Sequence, residues 1–171
     1  ALDAFDEEEE IDIDIVEEGQ AYSQVLVRCL EIACAVNRCP QGWAEKYGEI
    51  VWARANVHGG FWPAYVYDPR EMTIIDNPVL HKPNQVGSRH IVYFFGLEKS
   101  AKEDASRTKW LHSLFGQVAQ SNIVLWEEGK ERGFCNYTPK EKFPKETWML
   151  AIDEAEHTSQ QLIQDRLDWR R

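Results

Sequence analysis

The sequence predicts a mainly β protein with helices: a five-stranded barrel followed by a C-terminal helix, with an extra N-terminal helix and a helical insertion before the fourth strand. Five short runs of β-branched and aromatic residues lie between residues 48 and 137, most of them bounded by glycine or proline. Patterns of helical spacing lie before, between and after these runs. Short strands in a small protein favour a barrel, because closure removes the exposed edges of a sheet.

The distribution of charge limits the partners of the chain. Its 171 residues suffice for one domain with additions. The net charge is −10, and residues 1–46 account for most of it, with twelve acidic and three basic side chains. Residues 47–150 carry twelve acidic and thirteen basic side chains and are nearly neutral. This balance argues against strong non-specific nucleic-acid binding by the whole chain, and it allows a local basic patch in the middle.

The N-terminal region divides into two segments. Residues 1–19 are predicted to be an acidic flexible arm, because runs of like charge repel one another. Within the arm three isoleucines alternate with aspartates from position 11 to 15, which is a short strand pattern. Residues 20–42 are predicted to form a helix that packs on the domain and ends at a proline–glutamine–glycine sequence. The barrel with its C-terminal helix is then assigned to residues 46–171.

The first three strands carry a surplus of aromatic rings. They are predicted at about 48–55, 61–67 and 90–95. Neighbouring side chains on a strand point to opposite faces, so Trp62 and the phenylalanine before it cannot share one face. For the same reason, Phe94 and its two aromatic neighbours cannot all reach the core. The surplus rings either lie under the helices or wall a pocket, which would stack on a base or surround a methylated ammonium.

The second half of the chain supplies the remaining elements. The segment from about 97 to 121 is predicted to be a helical insertion, because a serine–glutamate capping box precedes a broad apolar face. The fourth and fifth strands are predicted at 123–126 and 133–137, joined by a hairpin turn. Pro144 suits the first turn of the final helix, which is expected to end near Trp169.

The sequence contains no motif that points to catalysis. Motifs for phosphate binding, dinucleotide binding, zinc hydrolysis and a serine nucleophile do not occur, and the five histidines are scattered. The four cysteines lack the spacing of a metal site or a disulfide framework and are expected to be free thiols. No apolar run approaches the roughly twenty residues of a membrane-spanning helix. The sequence therefore predicts a protein without catalytic residues, metal or cofactor, and without membrane association.

Three motifs lie in the first three predicted strands. They are Gly-Glu-Ile-Val-Trp-Ala-Arg at residues 48–54, Gly-Phe-Trp-Pro-Ala-Tyr-Val at 60–66 and Tyr-Phe-Phe-Gly at 93–96. They resemble, in the same order, the opening strand, the naming motif and the end of the third strand of PWWP domains, which are chromatin readers of the Royal superfamily. Glycine stands in place of the first proline of the naming motif. The resemblance covers about residues 47–168.

This resemblance implies an SH3-like barrel in the nucleus. Its partners would be a methylated histone tail, often of histone H3, and, weakly, nucleosomal DNA, with other chromatin proteins as further candidates. Trp62 and Phe94 hold the positions of two walls of the aromatic cage. His58 stands nearest to the third wall, where the family usually has an aromatic side chain and this chain has Gly59. The basic residues implied for DNA contact are Arg54, Lys140, Lys142 and Lys145.

Two alternatives stay open on the sequence. The barrel could be a non-catalytic protein–protein interaction module with a degenerate cage, whose insertion and acidic arm dock a partner. The chain could also be the targeting part of a larger chromatin-modifying enzyme. The first alternative is distinguished by whether Trp62 and Phe94 share an exposed pocket or are buried under residues 100–118.

Overall fold

The structure is a computed structural model that describes residues 6–55, 59–71, 83–98, 114–136 and 144–166. Its elements in chain order are helix α1 (Asp6–Asn37), strands β1 (Ile50–Ala53), β2 (Trp62–Tyr67), β3 (Arg89–Phe94), β4 (Phe115–Ala119) and β5 (Ile123–Leu125), helix α2 (Trp126–Glu131) and helix α3 (Lys145–Ser159). Short 3-10 turns lie at Ala44–Lys46, Pro83–Gln85, Gln120–Asn122, Phe134–Asn136 and Ile163–Asp165.

The five strands form one antiparallel sheet in the order β4-β3-β2-β1-β5. Strands β4 and β5 are its two edges, yet only the 3-10 turn Gln120–Asn122 separates them in sequence. A flat sheet would hold these edges about 19 Å apart, at four strand spacings. A short 3-10 turn spans only about 8 Å. The sheet must therefore curl towards closure, and the predicted fold class, a five-stranded SH3-like barrel followed by a C-terminal helix, is confirmed.

The two faces of the curled sheet bury different side chains, because neighbours on a strand alternate. One face carries small residues that are at most 1% exposed: Val51, Ala53, Ala64, Val66, Val92 and Val118. Small side chains suit the concave side of a tightly curled sheet. The other face carries large rings, among them Trp52, Tyr65, Tyr93 and Phe95, and it packs against helices α2 and α3.

Helix α3 lies close to the aromatic face because its inward residues are small or flat. Ala151 and Ala155 are fully buried, and Trp148 is buried against the rings of Trp52 and Trp62. Gly96, with φ of +75°, allows the close approach, since a Cβ there would lie 2.9 Å from the Ala151 amide nitrogen. The Gly96 N–H donates a hydrogen bond of 2.9 Å to Glu154 Oε2. These contacts fix α3 beside the end of β3.

Helix α2 docks on Trp52, which is fully buried. The Trp52 ring stacks on Trp126 with centroids 4.5 Å apart, and its Nε1–H donates to the Trp126 carbonyl oxygen at 3.0 Å. A Cβ on Gly129 would overlap the Trp52 ring and lie 2.9 Å from Phe134 Cδ2. Glycine is therefore the residue that this contact between helix and sheet accepts.

Several predictions for the second half of the chain are wrong. The predicted helical insertion 97–121 contains strand β4, which pairs with β3, while residues 99–113 lie outside the described residues. The predicted hairpin turn is helix α2, and the predicted fifth strand at 133–137 contains the 3-10 turn Phe134–Asn136. The physical reason is that Ile123–Leu125 already pairs with β1, while Trp126 gains burial against Trp52 as the start of a helix.

Both terminal helices also differ from their predicted bounds. From Asp6 onward the predicted acidic arm belongs to α1, so the strand expected at residues 11–15 is wrong. Glutamate is a good helix former, and acidic side chains near the start of a helix complement its dipole. Of the α1 side chains that are described, only Ile32 and Val36 are buried, so the last two turns pack on the domain. Helix α3 ends at Ser159, earlier than predicted.

Candidate functional site

One end of the sheet, which we call the Trp62 end, collects the predicted cage positions. There β1 ends, β2 begins and β3 ends, because Ala53 pairs with Trp62 and Ala64 pairs with Phe94. Trp62 and Phe94 therefore lie on adjacent strands at the same end of the barrel. The third predicted cage residue, His58, belongs to the connection between β1 and β2 and lies outside the described residues.

The Trp62 ring packs with the aromatic cluster at this end of the barrel. Its side chain is only 9% exposed, and its Nε1–H donates a hydrogen bond of 2.9 Å to the Phe95 carbonyl oxygen. Its ring meets the ring of Trp148 edge to face, with centroids 5.2 Å apart. Helix α3 thus covers much of Trp62. No local sequence pattern predicts this contact, because the two tryptophans lie far apart in the chain. The ring leaves little surface for a ligand in this state.

Phe94 is the more accessible of the two predicted walls. It is half-buried and packs beside both core clusters. Its ring lies over the backbone of β4, since a Cβ on Gly116 would be 2.8 Å from Phe94 Cε2. The glycine in β4 therefore makes the space in which the ring sits. The position of residues 100–118 would show whether Trp62 and Phe94 share an exposed pocket or are buried. Most of this segment lies within residues 99–113, which are not among the described residues.

A second feature at the Trp62 end is a layered group that we call the Arg–Phe stack, formed by Arg54, Phe61, Phe134 and Arg132. Phe61 and Phe134 stack with centroids 4.9 Å apart and an interplanar angle of 19°. The Arg54 guanidinium lies 4.9 Å from the Phe61 centroid, and the Arg132 guanidinium lies 4.9 Å from the Phe134 centroid. A cavity of about 330 Å³ opens beside Phe61, Arg132 and Phe134. The stack presents two cations on an apolar base.

The sequence indicates only part of this stack. Arg54 is recognisable as a basic residue and Phe61 as a surplus ring, but Phe134 falls within the predicted fifth strand. The Nε–H of Arg54 donates to Asn122 Oδ1 at 3.0 Å, which orients the guanidinium over Phe61. Arg132 also forms an exposed ion pair of 3.6 Å with Glu128. No local motif links residues 61 and 134, so only the fold brings them together.

Of the three lysines predicted for DNA contact, Lys145 is the one that lies among the described residues. Lys145 is exposed in the first turn of α3 and lines a groove of about 380 Å³ with Cys135 and Met149. Burial raises the pKa of the Cys135 thiol, so the thiol stays neutral at physiological pH. Lys140 and Lys142 lie outside the described residues.

The described residues contain neither a metal-binding cluster nor a membrane-spanning helix. No group of three His, Cys, Asp or Glu side chains in this part of the chain is placed to hold a metal ion. Within the same residues, no helix combines the length and apolar character needed to cross a membrane. The four cysteines are free thiols.

Comparison with known proteins gives a solved structure of the family that the sequence resembles. No protein-family model and no curated protein matches the chain. Among solved structures, the solution structure of the second PWWP domain of WHSC1L1 protein is similar, with 21% identity over 65% of this chain and 79% of that chain, and a TM-score of 0.39. Because this TM-score is below 0.5, the fold assignment rests on the strand order and the short turn between β4 and β5.

Proposed function

We propose that this chain is a non-catalytic, nuclear chromatin reader module. It binds a methylated lysine of a histone tail, often of histone H3, at the Trp62 end and makes weak contacts to nucleosomal DNA. The observation that carries the proposal is the register of the sheet. It sets the three motifs that resemble PWWP domains on adjacent strands, with Trp62 and Phe94 at the same end.

The proposed methyl-lysine site uses Phe94 as its accessible wall and the exposed edge of Trp62 as its second wall. A methylated ammonium is weakly hydrated and is attracted to ring faces by about 0.5–2 kcal/mol per ring. His58 is proposed for the third wall, on its position in the connection between β1 and β2. Because Trp62 is only 9% exposed, we expect a weak affinity for a single modified lysine.

The proposed DNA contact uses the basic side chains of the same region. Arg54 is supported by its place in the Arg–Phe stack, where Arg132 adds a second guanidinium. Lys140, Lys142 and Lys145 are kept in the proposal for their positions before and at the start of α3. Each phosphate contact would release counterions, so the binding should weaken with salt.

Isothermal titration calorimetry with histone H3 peptides tests the methyl-lysine proposal. The wild type should bind a trimethyl-lysine peptide more tightly than its unmethylated counterpart. Phe94→Leu keeps an apolar side chain over Gly116 but removes the ring, and it should weaken binding about 2- to 30-fold. Trp62→Ala is a poor test, since truncating a buried tryptophan costs about 3–5 kcal/mol of stability. Equal affinity of wild type and Phe94→Leu would overturn the assignment of Phe94.

The burial of Trp62 under Trp148 favours a second candidate function. In it the cage is degenerate, and the barrel is a protein–protein interaction module or the targeting part of a larger chromatin-modifying enzyme. This candidate predicts that no trimethyl-lysine peptide binds better than its unmethylated control. The same calorimetry therefore separates the two functions.

A further inference from the structure

A second cavity, which we call the tyrosine cavity, lies at the opposite end of the barrel from Trp62. It sits where β1 begins and β2 ends, and its volume is about 440 Å³. Its walls include the side chains of Tyr47, Tyr65, Asp68, Arg70 and Glu71. None of these residues belongs to the site proposed for methyl-lysine or DNA.

The Tyr65 hydroxyl shows that this cavity has unused binding capacity. Tyr65 is 1% exposed, and its hydroxyl has no hydrogen-bond partner among the described residues. Its oxygen lies on the cavity wall, because a Cβ on Gly48 would be 3.9 Å from Tyr65 Oη and 2.7 Å from Ile163 Cγ2. Gly48 and Ile163 also line the cavity. The hydroxyl is open to the cavity, and a phenol hydroxyl can both donate and accept a hydrogen bond. It is therefore available to a ligand that enters the cavity.

The two carboxylates in the cavity wall, Asp68 and Glu71, differ in their partners among the described residues. The Asp68 carboxylate is occupied by Arg70, with Nη2 to Oδ2 at 2.8 Å and Nε to Oδ1 at 3.0 Å. The Glu71 side chain has no ion pair or side-chain hydrogen bond among the described residues. Partial burial and then the neighbouring Asp68 raise the pKa of the Glu71 carboxyl, and Arg70 lowers it by less.

Glu71 also dominates the charges that act on Tyr65. Burial is the main cause that raises the pKa of the Tyr65 phenol, and Glu71 is the next. Arg166 lowers the pKa of Tyr65 by less than Glu71 raises it. All three side-chain nitrogens of Arg166 donate to backbone carbonyl oxygens, among them that of Gly48 at 2.8 Å. Because Arg70 is paired with Asp68, Glu71 is the carboxylate of the cavity wall that is available to a cation.

We propose that the tyrosine cavity binds the guanidinium group of an arginine side chain from a partner peptide. A guanidinium is planar and carries five N–H donors in a fixed arrangement. It can donate to the Glu71 carboxylate and to the Tyr65 oxygen while its flat face lies against the ring of Tyr47. A lysine ammonium is a compact point charge and lacks the flat face. This proposal is independent of the methyl-lysine site, which lies at the other end of the barrel.

NMR titration of the full ¹⁵N-labelled chain tests the proposal with three capped tripeptides. The probes are acetyl-Gly-Arg-Gly-amide, the same peptide with lysine, and the same peptide with citrulline, which has nearly the shape of arginine but no charge. We expect saturable shifts of the Gly48 and Glu71 amides with the arginine peptide. Binding of the lysine and citrulline peptides should be at least ten-fold weaker. Absence of saturable shifts with arginine, or equal binding of citrulline or lysine, would overturn the proposal.

Three variants locate the binding within the cavity. Glu71→Gln removes a charge from an exposed side chain, and Tyr65→Phe removes an unpaired hydroxyl, so both should fold. Arginine-peptide binding should weaken at least five-fold in Glu71→Gln and at least two-fold in Tyr65→Phe. Glu146→Gln is the matched control, because Glu146 is an exposed carboxylate at the start of α3 and does not line the cavity. Equal binding by Glu71→Gln and Glu146→Gln would contradict the assigned site.

Discussion

Gly129 shows how a single residue positions a whole element of this protein. It lies on the face of α2 that meets Trp52, at a distance where a methyl group would overlap the indole ring. A bulkier side chain at position 129 would either shift helix α2 or displace Trp52, which is fully buried. Both would disturb the stack between Trp52 and Trp126, which joins α2 to β1.

We therefore predict that Gly129→Ala lowers the free energy of unfolding by about 1–3 kcal/mol, as overpacked cores generally do. Urea unfolding followed by tryptophan fluorescence measures it. Gly19→Ala is the matched control: it is the same substitution within a helix, and no heavy atom lies within 4 Å of the new methyl group. The control should be unchanged or more stable by up to about 1 kcal/mol. Equal stability of the two variants would show that the contact with Trp52 is not constraining.

Helices α2 and α3 are joined by Glu156, and this link gives the structure a dependence on pH. Glu156 Oε2 accepts a hydrogen bond from Trp126 Nε1–H at 2.8 Å and lies 3.1 Å from Lys130 Nζ. The hydrogen bond from Trp126 is the main cause that holds the pKa of Glu156 below its ordinary value of 4.5, and Lys130 adds to it. The ionised form is thus favoured in the folded state.

For a carboxyl whose pKa is lowered on folding, the stabilisation is complete above the unfolded pKa and is lost as the pH falls through the folded pKa. The difference in unfolding free energy between wild type and Glu156→Gln should therefore be constant above about pH 5.5 and shrink below pH 4.5. Thermal unfolding of wild type and Glu156→Gln across this range measures the difference. Glu146→Gln is the matched control for the loss of an exposed carboxylate in the same helix. A difference that grows on acidification would contradict the role of this link.

The elements that the sequence predicts well are those whose signal is local. Strands β1, β2 and β3 lie where alternating apolar residues and flanking glycines place them. Helix α2 and strand β4 were missed, because their formation depends on distant partners. Trp126 meets Trp52 across 74 residues of sequence, and β4 is defined by its pairing with β3. Patterning within a short window does not contain these contacts.

The candidate site likewise combines features that the local sequence predicts with features that depend on distant contacts. The hairpin register that brings Trp62 and Phe94 to one end follows from the two strands and the third beside them. The cover that Trp148 places over Trp62 depends on how α3 docks, and so does the role of Gly96. The stack of Phe61 on Phe134 likewise depends on where the chain runs after α2.

At the scale of the whole molecule, the two ends of the barrel differ in charge. The Trp62 end carries the guanidinium groups of Arg54 and Arg132 on apolar rings. The opposite end carries the tyrosine cavity with Glu71. The first 46 residues add a net charge of −9, so attraction to DNA must come from a local surface and not from the molecule as a whole.

For DNA we predict weak binding whose affinity falls with salt. Because each phosphate contact contributes a slope of about −0.9 in a plot of log K against log salt, Arg132→Gln should reduce the slope by about 1. Charge reversal at Lys140, Lys142 and Lys145 should weaken binding further. Fluorescence anisotropy with a labelled duplex measures both effects, and Lys46→Gln, which lies in the turn before β1, serves as control. A slope that no variant changes would remove these residues from the proposed surface.

The central claim, that the Trp62 end reads methylated lysine, is tested most directly by mapping where a ligand binds. The measurement is a ¹⁵N NMR titration of the full chain with a panel of trimethyl-lysine peptides from histone H3 and their unmethylated counterparts. We predict methylation-dependent shifts of the Trp62, Ala64 and Phe94 amides, whereas any shifts of Gly48 and Glu71 should be the same with methylated and unmethylated peptides. Methylation-dependent shifts centred on Gly48 and Glu71, or no response to any methylated peptide, would contradict it.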